Sequence, residues 1–150
     1  MNSNPRAIFH LSLHITSLQE SRDFYGGVLN CLEGRSTERW VDFDFFGHQL
    51  SLHLGQPTVS TLTGSVEQIK VPMPHFGVVL DPQTWESCLL RLRAAGTAFI
   101  LDPLERYPDK AGAQRTLFVE DPSHNAIELK CLRSESELFS SDLEVGMPNV

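Results

Sequence analysis

The sequence predicts an α+β fold built as one domain from two similar halves. Three observations predict it. Short segments alternate apolar and polar residues with period two, the pattern of half-buried strands. Two other segments carry apolar residues at helical spacing behind a capping signal. The order strand, helix, run of strands then occurs twice, opened by His10 in the first copy and by His75 in the second.

The first copy begins with Ile8–Ile15, where Leu11, Leu13 and Ile15 alternate with His10, Ser12 and His14. Its polar face therefore holds two imidazoles and a hydroxyl. Ser17-Leu18-Gln19-Glu20 fits a capping box, and Phe24, Tyr25, Val28 and Leu29 continue it as a helix near residues 17–30, stopped at Asn30. Gly34 begins a break. Trp40–Phe46 alternates as a strand, Gly47-His48 sits where a tight turn belongs, and Leu50–Leu54 alternates again, with Ser51 and His53 opposite the leucines. The pair reads as a hairpin.

From Gly55 to Pro74 the composition shifts to Gly, Pro, Ser and Thr, which reads as a linker with at most a short strand or helical turn. The second copy follows. His75–Leu80 is a strand, and Asp81-Pro82 starts a helix over about 82–95 with proline at its first position. Trp85, Cys88, Leu89, Leu92 and Ala95 form its apolar stripe, and Gly96 ends it. Thr97–Leu101, Arg115–Val119 and Ala126–Leu132 are strands, the last two joined by a turn at Asp121–Asn125. The division is module one at about 7–55, linker 56–72, module two at about 73–133, and an acidic, Ser-rich tail 134–150 that is mobile or docked through Leu138 and Phe139.

Composition narrows the function. At 150 residues one domain is expected, and a chain of this size buries enough surface to fold without a disulfide or structural metal. Twelve basic against 19 acidic residues give a net charge of −7, which argues against a nucleic-acid binder, since that needs a basic stripe. No apolar run approaches the ~20 residues of a membrane helix, and the N-terminus lacks the pattern of a secretory signal. Cys31, Cys88 and Cys131 are odd in number and have no CxxC spacing, so free thiols in a reducing cytoplasm are expected.

The chemistry rests on three residues from three strands. His10 and His75 open equivalent strands, and Glu128 sits between Ile127 and Leu129, which face away from it. Two imidazoles and one carboxylate are the ligand set of a facial triad, which leaves coordination positions open. A histidine that opens a strand is more often a surface or core residue than a ligand, so the residues alone leave a metal site and a solvated sheet face both open.

Phe9–Ile15, followed by Ser21-Arg22-Asp23-Phe24-Tyr25-Gly26-Gly27-Val28-Leu29, resembles the opening module of the vicinal oxygen chelate superfamily, which includes glyoxalase I, extradiol dioxygenases and bleomycin resistance proteins. Pro74–Leu80 and Phe118–Leu129 resemble it in the second copy. Within that group, Arg39–Gln49 and Val71–Gly77 are most similar to small single-domain predicted extradiol-type dioxygenases.

The resemblance covers roughly residues 7–133 and implies tandem βαβββ modules forming a U-shaped cup around a divalent metal. It implies His10, His75 and Glu128 as ligands. Fe(II) is the first expectation, with Mn, Ni, Co or Zn as the others. Glyoxalase-like members take a further ligand, Glu or Gln, from the last strand of module one; here that strand offers Ser51 and His53 instead. Extradiol enzymes usually carry a Tyr shortly before the Glu ligand, where this chain has Asn125.

His14 and His53 are candidates for acid–base work, because an imidazole ordinarily titrates near neutrality. Tyr107 is a candidate donor to a substrate oxygen. Lys130 can pair with Glu128 or with an anionic substrate. His48 and His124 lie in turns and are read as surface residues. The expected function is a metal-dependent enzyme, dioxygenase-like or glyoxalase-like, acting on a small molecule with vicinal oxygens. The alternative is a metal-free, bleomycin-resistance-type sequestering protein. A cytoplasmic homodimer without nucleic-acid or membrane partners is expected.

Overall fold

The computed structural model describes residues 6–66, 68–108 and 113–139. The order is β1 (His10–Ile15), α1 (Leu18–Ser21) running into a π-helical stretch (Arg22–Val28), β2 (Leu32–Ser36), β3 (Trp40–Phe45), β4 (His48–Leu54), β5 (Thr61–Val66), β6 (Ile69–Met73), β7 (Phe76–Leu80), α2 (Pro82–Ala94), β8 (Phe99–Arg106), β9 (Gln114–Glu120) and β10 (Ala126–Leu132), then a short 3-10 turn (Glu135–Glu137). The α+β class holds, and the βαβββ order occurs twice, as β1-α1-β2-β3-β4 and β7-α2-β8-β9-β10. No helix among the described residues is long and apolar enough to cross a membrane. Two compact units divide the chain: residues 1–60 with 120–125, and 61–119 with 126–150.

In the first unit the sheet order is β1-β4-β3-β2, with β1 parallel to β4 and the other pairs antiparallel. Alternation puts Val41, Phe43 and Phe45 of β3 inward with Leu50 and Leu52 of β4, all buried. Phe24 and Tyr25 of the π-helical stretch close this core, Tyr25 lying 5.7 Å from Phe43, ring centre to ring centre. Burying side chains of this size stabilises the fold by roughly 1.5–3 kcal/mol each. The Ser17 cap is as predicted, its hydroxyl accepting from Glu20 N. The α-helix nevertheless gives way after one turn to the wider π-helix, a change that capping and periodicity do not report. The hairpin turn is Phe46-Gly47, with φ of 52° and 91°, and His48 is already the first residue of β4. Two residues at positive φ between strands suit the right-handed twist of the pair.

Asp121 is the buried polar anchor of this unit. Tyr25 Oη donates to its Oδ2 at 2.8 Å, Asn125 Nδ2 donates to the same oxygen, and the backbone N–H groups of Ser123 and Asn125 donate to Oδ1. Asn125 Nδ2 also reaches the His14 carbonyl, and Ser123 Oγ accepts from Thr16 N. Burial pushes the Tyr25 hydroxyl well above its ordinary value, and the Asp121 charge adds to this, so the phenol stays a proton donor.

In the second unit the order is β7-β10-β9-β8, with β7 parallel to β10. Asp81 caps α2 by accepting from Thr84 N, with Pro82 in the first turn. Trp85, fully buried, donates from Nε1 to the Leu129 carbonyl, and the Arg115 guanidinium lies 4.1 Å from its ring centre. The stretch read as a linker is more ordered than its composition suggests: β5 and β6 pair as a hairpin. Val66 and Val71 of that hairpin pack with Leu101 and Phe118.

The residues themselves give no sign of β2, although the βαβββ order that the resemblance implies requires a strand there. It is an edge strand with every residue exposed, so it carries no alternation to read. β8 runs on past the expected Leu101 to Arg106, with register shifts around Leu101 on a sheet edge where Pro103 is tolerated. In the tail, Leu138 is 38% and Phe139 88% exposed, so Phe139 is not docked; residues 140–150 lie outside the described residues.

Candidate metal centre

The second unit brings His75 and Glu128 together. β7 and β10 run parallel with Gly77 opposite Glu128, which sets the turn before β7 beside the carboxylate. A Cβ on Gly77 would collide with the Glu128 backbone carbonyl, so glycine is what allows this approach. His75 Nδ1 lies 2.7 Å from the Pro72 carbonyl, which only accepts, so Nδ1 carries the proton. His75 Nε2 then faces Glu128 Oε2 at 3.1 Å. In the neutral ring both atoms carry lone pairs, and something positive must stand between or beside them. Donors roughly 2.1 Å from an octahedral cation lie about 3.0 Å apart when adjacent, so the spacing fits two ligands of one ion.

The other carboxylate oxygen is already engaged. Thr116, fully buried, donates from Oγ1 to Glu128 Oε1 at 2.7 Å, and Lys130 Nζ lies 3.8 Å from the same oxygen. Phe118 packs edge-on to the His75 ring, centroids 4.9 Å apart. Glu128 is itself buried at 7% exposure, where an unmatched carboxylate is costly. The sequence reading missed Thr116, Gly77 and the Pro72 carbonyl. Alternation along β9 could have put Thr116 on the same face as Phe118, but a threonine in a strand reads as ordinary strand composition.

The first unit carries the remaining candidates. β1 presents His10, Ser12 and His14 on its exposed face, with His10 Nε2 3.2 Å from Ser12 Oγ. The β1–β4 register pairs His10 with Gln49, Ser12 with Ser51 and His14 with His53. His14 Nδ1 lies 3.1 Å from the Gln56 carbonyl, which fixes its proton there and leaves Nε2 with the lone pair. Its ring covers Gly55, where a Cβ would come within 2.7 Å of it. His53 packs against Trp40 at 6.1 Å. Ser51, the other residue at the glyoxalase ligand position, is committed: it donates to buried Asp42, which also accepts from Gln49 and Arg35. Burial pushes the Asp42 carboxyl up, but these hydrogen bonds together outweigh it and hold the group below its ordinary value.

Tyr107 follows β8 directly, at φ 52°, and its hydroxyl accepts from Arg106 at 3.0 Å. His48 is more than a surface residue, because its Nδ1 accepts from Phe9 N. His124 is exposed and paired with Glu120 at 2.8 Å. Among the described residues no three His, Cys, Asp or Glu side chains are gathered as a ready-made cluster; the pair His75–Glu128 is what is assembled.

The family model described as glyoxalase/bleomycin resistance protein/dioxygenase superfamily matches residues 7–129. The chain belongs to this superfamily. No curated protein sequence matches it. Among solved structures, a superfamily member from Alicyclobacillus acidocaldarius, described as glyoxalase/bleomycin resistance protein/dioxygenase, is 26% identical, with a TM-score of 0.71 over 91% of this chain and 99% of that one. A lactoylglutathione lyase from Agrobacterium tumefaciens is 15% identical with a TM-score of 0.60, covering 92% of this chain and 99% of that one. A genomically encoded fosfomycin resistance protein from Listeria monocytogenes is 16% identical with a TM-score of 0.61, covering 89% and 98%. The last two likenesses are of fold. One architecture thus carries proteins described as a lyase and as a resistance protein, and the reaction of a protein with this fold has to be argued from its site.

Proposed function

We propose that this superfamily member is a metal-dependent enzyme acting on a small substrate chelated through two adjacent oxygens, with His10, His75 and Glu128 holding one divalent cation. The observation that carries the reading is the His75–Glu128 pair: Nε2 stands 3.1 Å from a carboxylate oxygen while Nδ1 donates to the Pro72 carbonyl, so that in the neutral ring the lone pair of Nε2 faces the carboxylate. Superfamily membership supports it, since members typically work with a divalent metal. His10 as third ligand rests on the resemblance of the two modules and on its exposed place on β1.

When bound, the cation would supply Lewis acidity to both substrate oxygens. Two neutral imidazoles and one carboxylate leave a divalent ion with one net positive charge, which suits an anionic bidentate substrate. The chain's own groups would handle the protons. His14, its Nδ1–H held by Gln56, offers Nε2 as a base, and His53 stands beside it in the strand register. The Tyr107 hydroxyl accepts from Arg106, which leaves its own proton to donate to a substrate oxygen.

Fe(II) suits this ligand set and points to extradiol-type ring opening; Mn, Ni, Co or Zn would shift the reading to isomerase or lyase chemistry. The test is metal analysis of protein purified without added metal, then anaerobic Fe(II) loading and oxygen uptake with catechols. Oxygen consumption that requires Fe(II) supports the dioxygenase form, and none from a fully loaded site removes it.

A second reading rests on the same pair. A proton between the two atoms makes it an imidazolium–carboxylate ion pair, which a metal-free sequestering protein would keep. Protein that takes up no metal would decide for it. We also propose a homodimer, because Ile8, Phe9, Leu62, Ile69 and Met73 leave apolar surface exposed. Light scattering at micromolar concentration tests this, and a monomer alone would remove it.

A further inference from the structure

We propose that Thr116 is a positioning residue that commits Glu128 to bind the cation through Oε2 alone. The inference rests on the metal reading above and adds the mode of carboxylate binding to it. Thr116 sits in the middle of β9 with no exposure to solvent, and β9 is held in register by β8, with Leu104 opposite Thr116. Its hydroxyl has one proton, and at 2.7 Å that proton goes to Glu128 Oε1, which in a carboxylate can only accept. Lys130 adds a positive charge 3.8 Å from the same oxygen. The hydrogen bond from Thr116 and the charge of Lys130 therefore both act on Oε1, and Oε2 is the oxygen turned to His75.

The consequence is a count of coordination positions. On an octahedral cation, two imidazoles and a bidentate carboxylate would leave two positions, which a substrate with two adjacent oxygens would fill. A carboxylate held to one oxygen leaves a third position beside the chelated substrate, where water or a co-substrate can bind. Thr116, a residue with no contact of its own to the cation, would thus govern both how tightly the ion is held and how many places it keeps open.

The test compares wild type, Thr116→Ser and Thr116→Val. Co(II) is titrated into metal-free protein and followed by its visible absorption, and 4-nitrocatechol, a chromophoric bidentate probe, is then titrated into the Co(II) form. Melting temperatures of the metal-free proteins report the fold. Serine, which keeps the hydroxyl, should bind Co(II) within about threefold of wild type. Valine, which keeps the shape alone, should bind it about tenfold or more weakly, and should weaken 4-nitrocatechol as well. If the valine variant does not fold, Thr116→Ala must show the same losses. Removal of the hydroxyl with no change in either affinity overturns this inference and leaves the metal reading standing. A wild type that takes up no Co(II) overturns the metal reading, and this inference with it.

Discussion

Nε2 of His75 and Oε2 of Glu128 stand 3.1 Å apart, and with the ring neutral they face each other as two acceptors, because the Pro72 carbonyl holds the one ring proton on Nδ1. Such a contact is unfavourable until a cation or a proton joins it. It is assembled by backbone: a parallel strand pair, a glycine at the point of closest approach, and a carbonyl three residues before the histidine.

Gly77 is the first place to test that assembly. Its missing side chain leaves room for the Glu128 backbone, whose carbonyl carbon would lie 2.7 Å from a Cβ placed there. Gly77→Ala should destabilise the protein by about 1–3 kcal/mol through overpacking, and should weaken metal binding by displacing Glu128. Urea unfolding together with metal titration measures both. An alanine variant equal to wild type in each would show that β10 does not depend on this approach.

Tyr25 tests the buried anchor of the first unit. Removing its hydroxyl leaves Asp121 with one donor fewer in a buried setting. Tyr25→Phe should cost about 1.5–3 kcal/mol, the range for a hydrogen bond to a charged group. The amides of Ser123 and Asn125, which donate to Asp121, should also exchange faster with solvent. Unchanged exchange at these two amides would mean the turn does not rely on Tyr25.

Asp42 gives a pH dependence with a definite sign. Its folded value lies below the ordinary 3.8, because the hydrogen bonds from Ser51, Gln49 and Arg35 outweigh burial. The unfolded chain therefore binds the proton more tightly than the folded one. The stabilisation is complete above about pH 4 and is lost as the pH falls further, through the folded value. Asp42→Asn should be less stable than wild type at pH 6, and the gap should narrow between pH 4 and pH 2. A gap that stays constant over that range would contradict the assignment.

Much of the fold was legible because the relevant strands bury one face. β3, β4, β9 and β10 alternate or run apolar, and the Ser17 and Asp81 caps place both helix starts. What escaped has no such signature. β2 is exposed along its whole length, β5 is largely Thr, Gly and Ser residues that also suit a loop, and its partner β6 is short and carries Pro72. The π-helical turn differs from an α-helix by one residue of hydrogen-bond spacing, and the spacing of apolar residues does not resolve it.

Of the site, Glu128 was legible from its place between Ile127 and Leu129, and His75 from the repeat. Their pairing required the parallel register of β7 and β10, which is a tertiary fact. Thr116 was invisible for the same reason, since only the folded sheet brings its hydroxyl to Glu128.

The central claim is that His10, His75 and Glu128 hold one divalent cation, and the most direct measurement is metal stoichiometry and affinity in wild type, His10→Ala, His75→Ala and Glu128→Gln. The account predicts one ion per wild-type chain and about a hundredfold or greater loss of affinity in each variant, since removing a ligand should cost at least as much as removing its supporting partner. It also predicts that metal-free Glu128→Gln is no less heat-stable than metal-free wild type, because an amide can donate to His75 Nε2 where the carboxylate cannot. Full metal content in Glu128→Gln, or a wild type that binds no ion, would contradict it.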